Sequence, residues 1–317
     1  MSTRKLALIC FPGAPNLPLF AAEARGFFET FGLEVCLSTT PSSSWQAREL
    51  MNGSFHIAGT AFDNVVAYCR GDGAADLGGE ADFFAFMGAT RIELALTAAP
   101  GIERIDQLRG QTLGMDALNT GFAFVLYDLL ERAGLAREDY QMTAVGATPQ
   151  RLQALLEGQC VATLTIEPFT AQARAHGCSV LATSSETYAH YQGGVFAARR
   201  SWATANADTL VAFIRAYLMG LRWCLDERNR DAAGAILGSR MPQIRTELIP
   251  RVLDKLLDAR TGLTPEAMLD SAGVAQVLAL RNRFASASAP GTAALPDELA
   301  RYVDLDYYHR ALNLTPP

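Results

Sequence analysis

LALICFPGAPNLPLFAAEARGFFETFGLEV, residues Leu6 to Val35, carries the pattern of one βαβ unit. Leu6 to Cys10 is an apolar run too short for a helix and suited to a buried strand. Pro12, Gly13 and Pro15 then force a loop. From Leu17 the period changes: Leu19, Phe20, Glu23, Phe27 and Phe31 recur at helical spacing, and Gly32 supplies the left-handed residue that ends the helix. Glu34 to Leu37 restarts a strand. Strand, loop, helix, glycine stop and strand together make the unit from which parallel sheets are built.

The unit recurs. Gln111 to Met115 predicts a strand, Ala117 to Gly121 a polar loop and Phe122 to Arg132 a helix, which Gly134-Leu135 stops as Gly32-Leu33 stops the first. QARELMNGSFHIAGT (Gln46 to Thr60) lines up with QRLQALLEGQCVATL (Gln150 to Leu164), with glycine stops at Gly53 and Gly158. Gly32 and Gly134 are 102 residues apart, and Gly53 and Gly158 are 105 apart. A period of ~100 residues is far longer than the ~20–50 of a solenoid. It predicts two similar α/β lobes instead.

Phe83 to Met87, Leu94 to Thr97 and Gly194 to Ala198 are further strand candidates, the last returning toward the first lobe. Beyond Tyr191 the chain turns helical. Leu210, Phe213, Ile214, Tyr217, Leu218, Leu221 and Leu225 form one apolar stripe over Asp208 to Leu225. Helices are also expected over Asp231 to Leu237, Ile244 to Asp258 and Pro265 to Phe284, with a last segment ending near Leu312. This tail is expected to pack on the first lobe. The expected division is 1–88 plus 195–317 for lobe one and 89–194 for lobe two.

Half of the 317 residues are hydrophobic and 19% are charged, which allows a packed interior. A net charge of −6 argues against nucleic acid as a partner. No window approaches the ~20 apolar residues of a membrane span. The start, MSTRKLALICFPG, has an apolar run shorter than the roughly seven to fifteen residues of a secretory signal, and no small-residue cleavage site follows it. It reads as the first strand. The six cysteines are scattered, with no CxxC and no histidine at metal spacing, so buried thiols are expected and neither metal nor cofactor. These features suggest a reducing, cytoplasmic setting. A leader removed beforehand would make the protein periplasmic.

Leu17-Pro18-Leu19, Gly26-Phe27-Phe28, Gly32-Leu33-Glu34-Val35, Leu50-Met51-Asn52-Gly53, Leu108-Arg109-Gly110-Gln111, Gly134-Leu135, Leu155-Leu156-Glu157-Gly158, Glu167-Pro168 and Tyr302-Val303-Asp304 follow one order and spacing. In these motifs nearly the whole chain resembles the substrate-binding proteins of sulfonate, nitrate and taurine importers. The resemblance implies a type II periplasmic-binding-protein fold: two α/β lobes joined by two crossover strands, with the ligand between them. The superfamily includes thiamin-pyrimidine synthases and aromatic sulfinate desulfinases. Where importer receptors usually carry Asp, this chain has His56 and Val161. Where the synthases carry a cofactor-binding Lys and a sacrificial His, it has Thr60 and Asn64, and their Cys-rich motif is absent, which argues against that activity.

In such folds ligands lie outside the carboxyl ends of the parallel strands. Five loops qualify: Phe11 to Asn16, Thr39 to Trp45, Thr60 to Asn64, Asp116 to Phe122 and Glu167 to Phe169. Hydroxyl-rich helix starts at Ser42-Ser43-Ser44 and Asn119-Thr120-Gly121 suit a carboxylate or sulfonate. Phe11, Trp45, Phe62 and Phe122 offer faces for an aromatic body. Asp63, Asp116 and Glu167 would repel a fully anionic ligand, so a mixed one is expected. Asn16, Thr60 and Tyr191 complete the expected ligand-binding set, and the alternative for each residue is an ordinary cap or core position.

Cys10 ends the first strand and resembles in place the nucleophilic cysteine of the desulfinases, which sits just after theirs, although its spacing to Gly26 is longer than theirs. Thiol chemistry would need a base or helix start to lower its pKa. His56 and His190 are the histidines on expected cleft-side segments, so Cys10 with His56 is the candidate catalytic pair, and a buried strand thiol is the competing reading. The expected function is binding of a small organic ligand by cleft closure, with an ABC-importer permease as partner if the protein is exported. A cytosolic lyase, decarboxylase or desulfinase is the alternative, and a cytosolic ligand sensor a third reading.

Overall fold

The structure, a computed structural model, describes residues 3–285 and 295–314. The first sheet takes β1 (Arg4–Cys10), β2 (Leu33–Thr39), β3 (Ile57–Ala61) and β4 (Phe83–Thr90) from the start of the chain, and β10 (Gly194–Arg199) from far beyond it. Its order is β2-β1-β3-β10-β4. The second sheet holds β5 (Ala95–Ala98), β6 (Thr112–Met115), β7 (Gln141–Ala144), β8 (Ala162–Thr165) and β9 (Ser179–Thr183), in the order β7-β6-β8-β5-β9. In each sheet the first three strands are parallel, and β10 or β5 runs antiparallel beside them.

The sequence repeat is therefore a repeat of topology. Ile9 stands beside Ser38 and Ala58 in one sheet, and Gly114 beside Thr143 and Thr163 in the other, so each residue of the second set is 105 positions beyond its counterpart. The chain leaves the first sheet after Thr90 and re-enters it at Gly194. Residues 91–94 and 184–193 thus carry the two crossovers.

Strand parity divides the core. Leu6, Leu8 and Cys10 face one way, toward the long helix Ala207–Leu225, and Ile9 faces the other. Phe86, Phe196, Phe213 and Tyr217 fill the space under the first sheet, with the Phe196 and Tyr217 ring centroids 4.8 Å apart, edge to face.

Three helical expectations are corrected. The first helix stops at Ala24, because Gly26 takes a left-handed φ of 70°; a short helix, Phe27–Thr30, follows before Gly32 ends it. The span expected from Pro265 becomes a helix only at Ser271–Phe284, since Glu266 and Ala267 have positive φ and Asp270 caps the start by accepting from the Ala272 N–H. The span expected from Ile244 is helical over Ile249–Leu257, with Pro250 in its first turn. The last helices among the described residues are Leu295–Tyr302 and Asp306–Asn313.

The tail also packs more widely than expected. Helix Ala207–Leu225 lies on Leu17–Ala24 in the first lobe, whereas Ser271–Phe284 lies against both Phe62–Arg70 of the first lobe and Gly121–Arg132 of the second. Among the described residues no helix is long and apolar enough to cross a membrane.

Candidate functional site

The carboxyl ends of β1, β3, β6 and β8 face one another across a cleft of about 840 Å³, partly open to solvent. The first-lobe wall presents Phe11, Asn16, Thr60, Asn64 and Phe196; the second presents Asp116, Thr120 to Phe122, Thr148 and Arg151. Seven of the expected ligand residues therefore line the cleft: Phe11, Asn16, Thr60, Asp116, Thr120, Gly121 and Phe122. Asn16 is held by its amide donating to the Phe11 carbonyl, and the Asn64 amide donates to Thr60 Oγ1 at 2.9 Å.

The other expected residues lie elsewhere. Phe62 is fully buried in the core. Asp63 is taken by Arg281, whose Nε and Nη2 each reach it at 2.6 Å in a two-pronged pair, while Nη1 lies 3.0 Å from Asp72. Gly121 comes so close to this pair that a Cβ there would lie 2.4 Å from that of Asp63. Asn119 donates to the Asp72 carbonyl. Tyr191 stacks on Tyr188 inside the protein, and Trp45 meets Phe55 edge to face.

The serine-rich helix start is filled by the protein itself. Ser42 Oγ accepts from the Trp45 N–H, and the Ser43 N–H donates across the cleft to Asp116 Oδ2 at 3.2 Å. Ser43 lines a smaller recess behind Thr60, and Ser44 lies off the cleft. Glu167 accepts from the Ala171 N–H and caps its own helix; burial holds its carboxyl above the usual range.

Cys10 and His56 are not a pair. Cys10 stands beside Gly59 in the β1–β3 register, whereas His56 stands beside Ala7, three residues back or ~10 Å at ~3.3 Å per residue. The Cys10 thiol is 1% exposed, packs against Gly59 on the face shared with Leu6 and Leu8, and does not line the cleft. Burial pushes it up to about 12. His56 accepts from the Ala7 N–H, stacks on Trp202 at 5.3 Å and lies at the end of β3 away from the cleft. Burial and then Arg199 pull its imidazole below the usual value. His190 is exposed and pairs with Asp270 at 2.9 Å.

Sequence reasoning missed Arg151. It is 2% exposed and lines the cleft from helix Thr148–Leu156. Among the described residues, its Nη2 donates to Thr148 Oγ1 at 2.8 Å, its Nη1 reaches only the Met115 sulfur at 3.6 Å, and its Nε meets no acceptor. No carboxylate of the described residues lies within 4.0 Å of it. Burial lowers the guanidinium to about 10, with Asp116 acting in the opposite sense, so it is charged at neutral pH. Asp116 Oδ1 is likewise buried and has no partner among the described residues. The signal was in the sequence: Arg151 falls on the apolar face of its helix with Leu152 and Leu155, where a charge has no ordinary reason to be.

The helix starts add to this charge. Gly121–Arg132 and Thr148–Leu156 both begin on the second wall of the cleft, so their N-terminal dipole ends face it. Among the described residues no group of three or more His, Cys, Asp or Glu could hold a metal ion.

Solved structures share the architecture. The periplasmic nitrate-binding protein NrtA from Synechocystis PCC 6803 is 14% identical, with 98% of this chain and 88% of that one covered at a TM-score of 0.81. The periplasmic aliphatic sulphonate binding protein SsuA from Escherichia coli is 18% identical, with 89% and 87% covered and a TM-score of 0.66. A DszB mutant in complex with biphenyl-2-sulfinic acid is 13% identical, with 98% and 99% covered and a TM-score of 0.61. No curated protein matches the chain. The fold is that of the type II periplasmic binding proteins. The model of the NMT1-like family matches residues 2–238, three quarters of the sequence, and the chain belongs to that family.

Proposed function

We propose that this protein binds a small organic anion, a carboxylate or sulfonate on an aromatic or heteroaromatic body, and closes its two lobes around it. Arg151 carries the proposal. A buried guanidinium with no carboxylate beside it is costly, and an anion entering the cleft would pair it. The two helix starts on the same wall add partial positive charge. Phe11 and Phe122 supply apolar faces for the ligand body.

Closure has its contacts in place. The Ser43 N–H reaches Asp116, the Ala147 N–H donates to the Pro41 carbonyl at 3.0 Å, and the Ala14 N–H donates to the Glu167 carbonyl at 3.1 Å. Each bond joins the two lobes, and binding energy from both walls would favour this arrangement over an open one. Thiol chemistry has no comparable support, because the Cys10 thiol is buried, high in pKa and remote from His56. Kinship in fold with periplasmic nitrate- and sulfonate-binding proteins supports an importer permease as the partner of an exported form.

The test is a thermal-shift panel of aromatic sulfonates and carboxylates beside their neutral amides and alcohols, with mass spectrometry for products. Acids should raise the melting temperature and emerge unchanged, a ligand at a hundred times its Kd adding about 2.7 kcal/mol. Neutral compounds that stabilise as well as the acids would overturn the anion reading, and turnover of any acid would overturn simple binding.

A further inference from the structure

Building on that anion reading, we infer that the ligand also bears a hydrogen-bond donor, an amine, ring N–H or hydroxyl, which Asp116 accepts. The second wall leaves two polar atoms unmet, one of each kind. Among the described residues, Arg151 Nε is a buried donor without an acceptor, and Asp116 Oδ1 is a buried acceptor without a donor. They do not satisfy each other, since no ion pair joins the two side chains. Both nonetheless line one cleft within reach of one small molecule: Arg151 lies 3.6 Å from the sulfur of Met115, the residue before Asp116.

Asp116 is not free to turn away. Its Oδ2 is fixed by the Ser43 N–H of the facing lobe, which sets where Oδ1 points when the lobes are together. A bare anion would pair Arg151, bring negative charge toward Asp116 and leave a buried oxygen unpaired, which is unfavourable. An anion with a donor on the same skeleton meets both groups. Phe11, at the register position in the first lobe that corresponds to Asp116, and Phe122 beside it call for an apolar skeleton between the polar ends.

The experiment is titration calorimetry with matched probes: benzoate against its 2-, 3- and 4-amino and hydroxy derivatives, and benzenesulfonate against the corresponding set. In the wild-type protein at least one donor-bearing acid should bind roughly tenfold tighter than its parent. In Asp116→Asn the amide oxygen can keep the Ser43 N–H and turn the NH2 into the cleft, so the preference should vanish or reverse. Parents binding as tightly as every derivative would overturn the donor inference and leave the anion reading standing. A preference that survives Asp116→Asn would overturn the assignment to Asp116. Anilines and phenols without an acid group binding as well as the acids would overturn the anion reading itself. The wild-type comparison needs no variant, so a misfolded Asp116→Asn does not protect the inference.

Discussion

The two lobes repeat one topology and arm it differently. Gln46 and Arg151 occupy the same place in their helices, four residues before Leu50 and Leu155 and 105 positions apart. Gln46 spends its amide inside its own lobe, donating to the Ile9 carbonyl at 3.4 Å and the Gly59 carbonyl at 3.1 Å. In the second lobe the carbonyl equivalent to Ile9 is that of Gly114, and Thr163 Oγ1 takes it at 2.7 Å. Ala58, the counterpart of Thr163, has no hydroxyl to offer. A threonine on the strand thus relieves the helix residue of stapling the lobe and leaves Arg151 for the cleft. The same register sets Phe11 against Asp116, so one wall presents a ring where the other presents a carboxylate. A duplicated scaffold can hold its stability on one copy and its recognition on the other.

The largest effect should come from the buried pair that fixes the tail helix to the first lobe. Arg281→Met leaves Asp63 and Asp72 buried without their cation, and should cost about 3–5 kcal/mol of stability in urea unfolding. A smaller loss would mean that this pair does not hold the tail helix on the first lobe. Gln46→Leu is the next test, and strikes the first lobe alone: two strand carbonyls lose their donor, with an expected cost of about 1–3 kcal/mol and little change in ligand affinity. If affinity falls as far as stability does, the division of labour fails.

The sign of pH dependence separates the lobes further. Anion binding should weaken in strongly alkaline solution, since burial lowers the Arg151 guanidinium from its usual range. The same depressed pKa makes this group's contribution to stability rise over that window, because the unfolded chain holds the proton to higher pH. Affinity and stability should therefore move in opposite directions in alkaline titration. The smallest effect belongs to His56. Its lowered pKa means that the unfolded chain takes up a proton first, so stability should fall as pH drops below 6.5, and His56→Asn should flatten that slope in melting curves from pH 5 to 8.

Much of this was legible beforehand. The βαβ period, the glycine stops and the two-lobe repeat are local signals, and they located the strand ends where the cleft forms. Even the fate of Cys10 follows from parity, since it shares a strand face with Leu6 and Leu8. The pairing of Asp63 was not legible, because its partner Arg281 lies 218 residues away. Nor was the filling of the Ser43 helix start by Asp116, from another lobe. Arg151 was obscured by a one-residue choice: matching Gln46 to Gln150 sets Ala47 against Arg151, whereas the sheet registers set Gln46 against it.

The most direct measurement is the affinity of wild-type and Arg151→Met protein for one aromatic acid that binds the wild type, by titration calorimetry, with unliganded melting temperatures recorded beside it. The expected result is an affinity loss of roughly a hundredfold or more with the melting temperature unchanged or raised, since the substitution removes an unpaired buried cation. Equal affinity in the two proteins would contradict the assignment of Arg151 as the anion's partner, and with it the account of the second lobe as the recognising one.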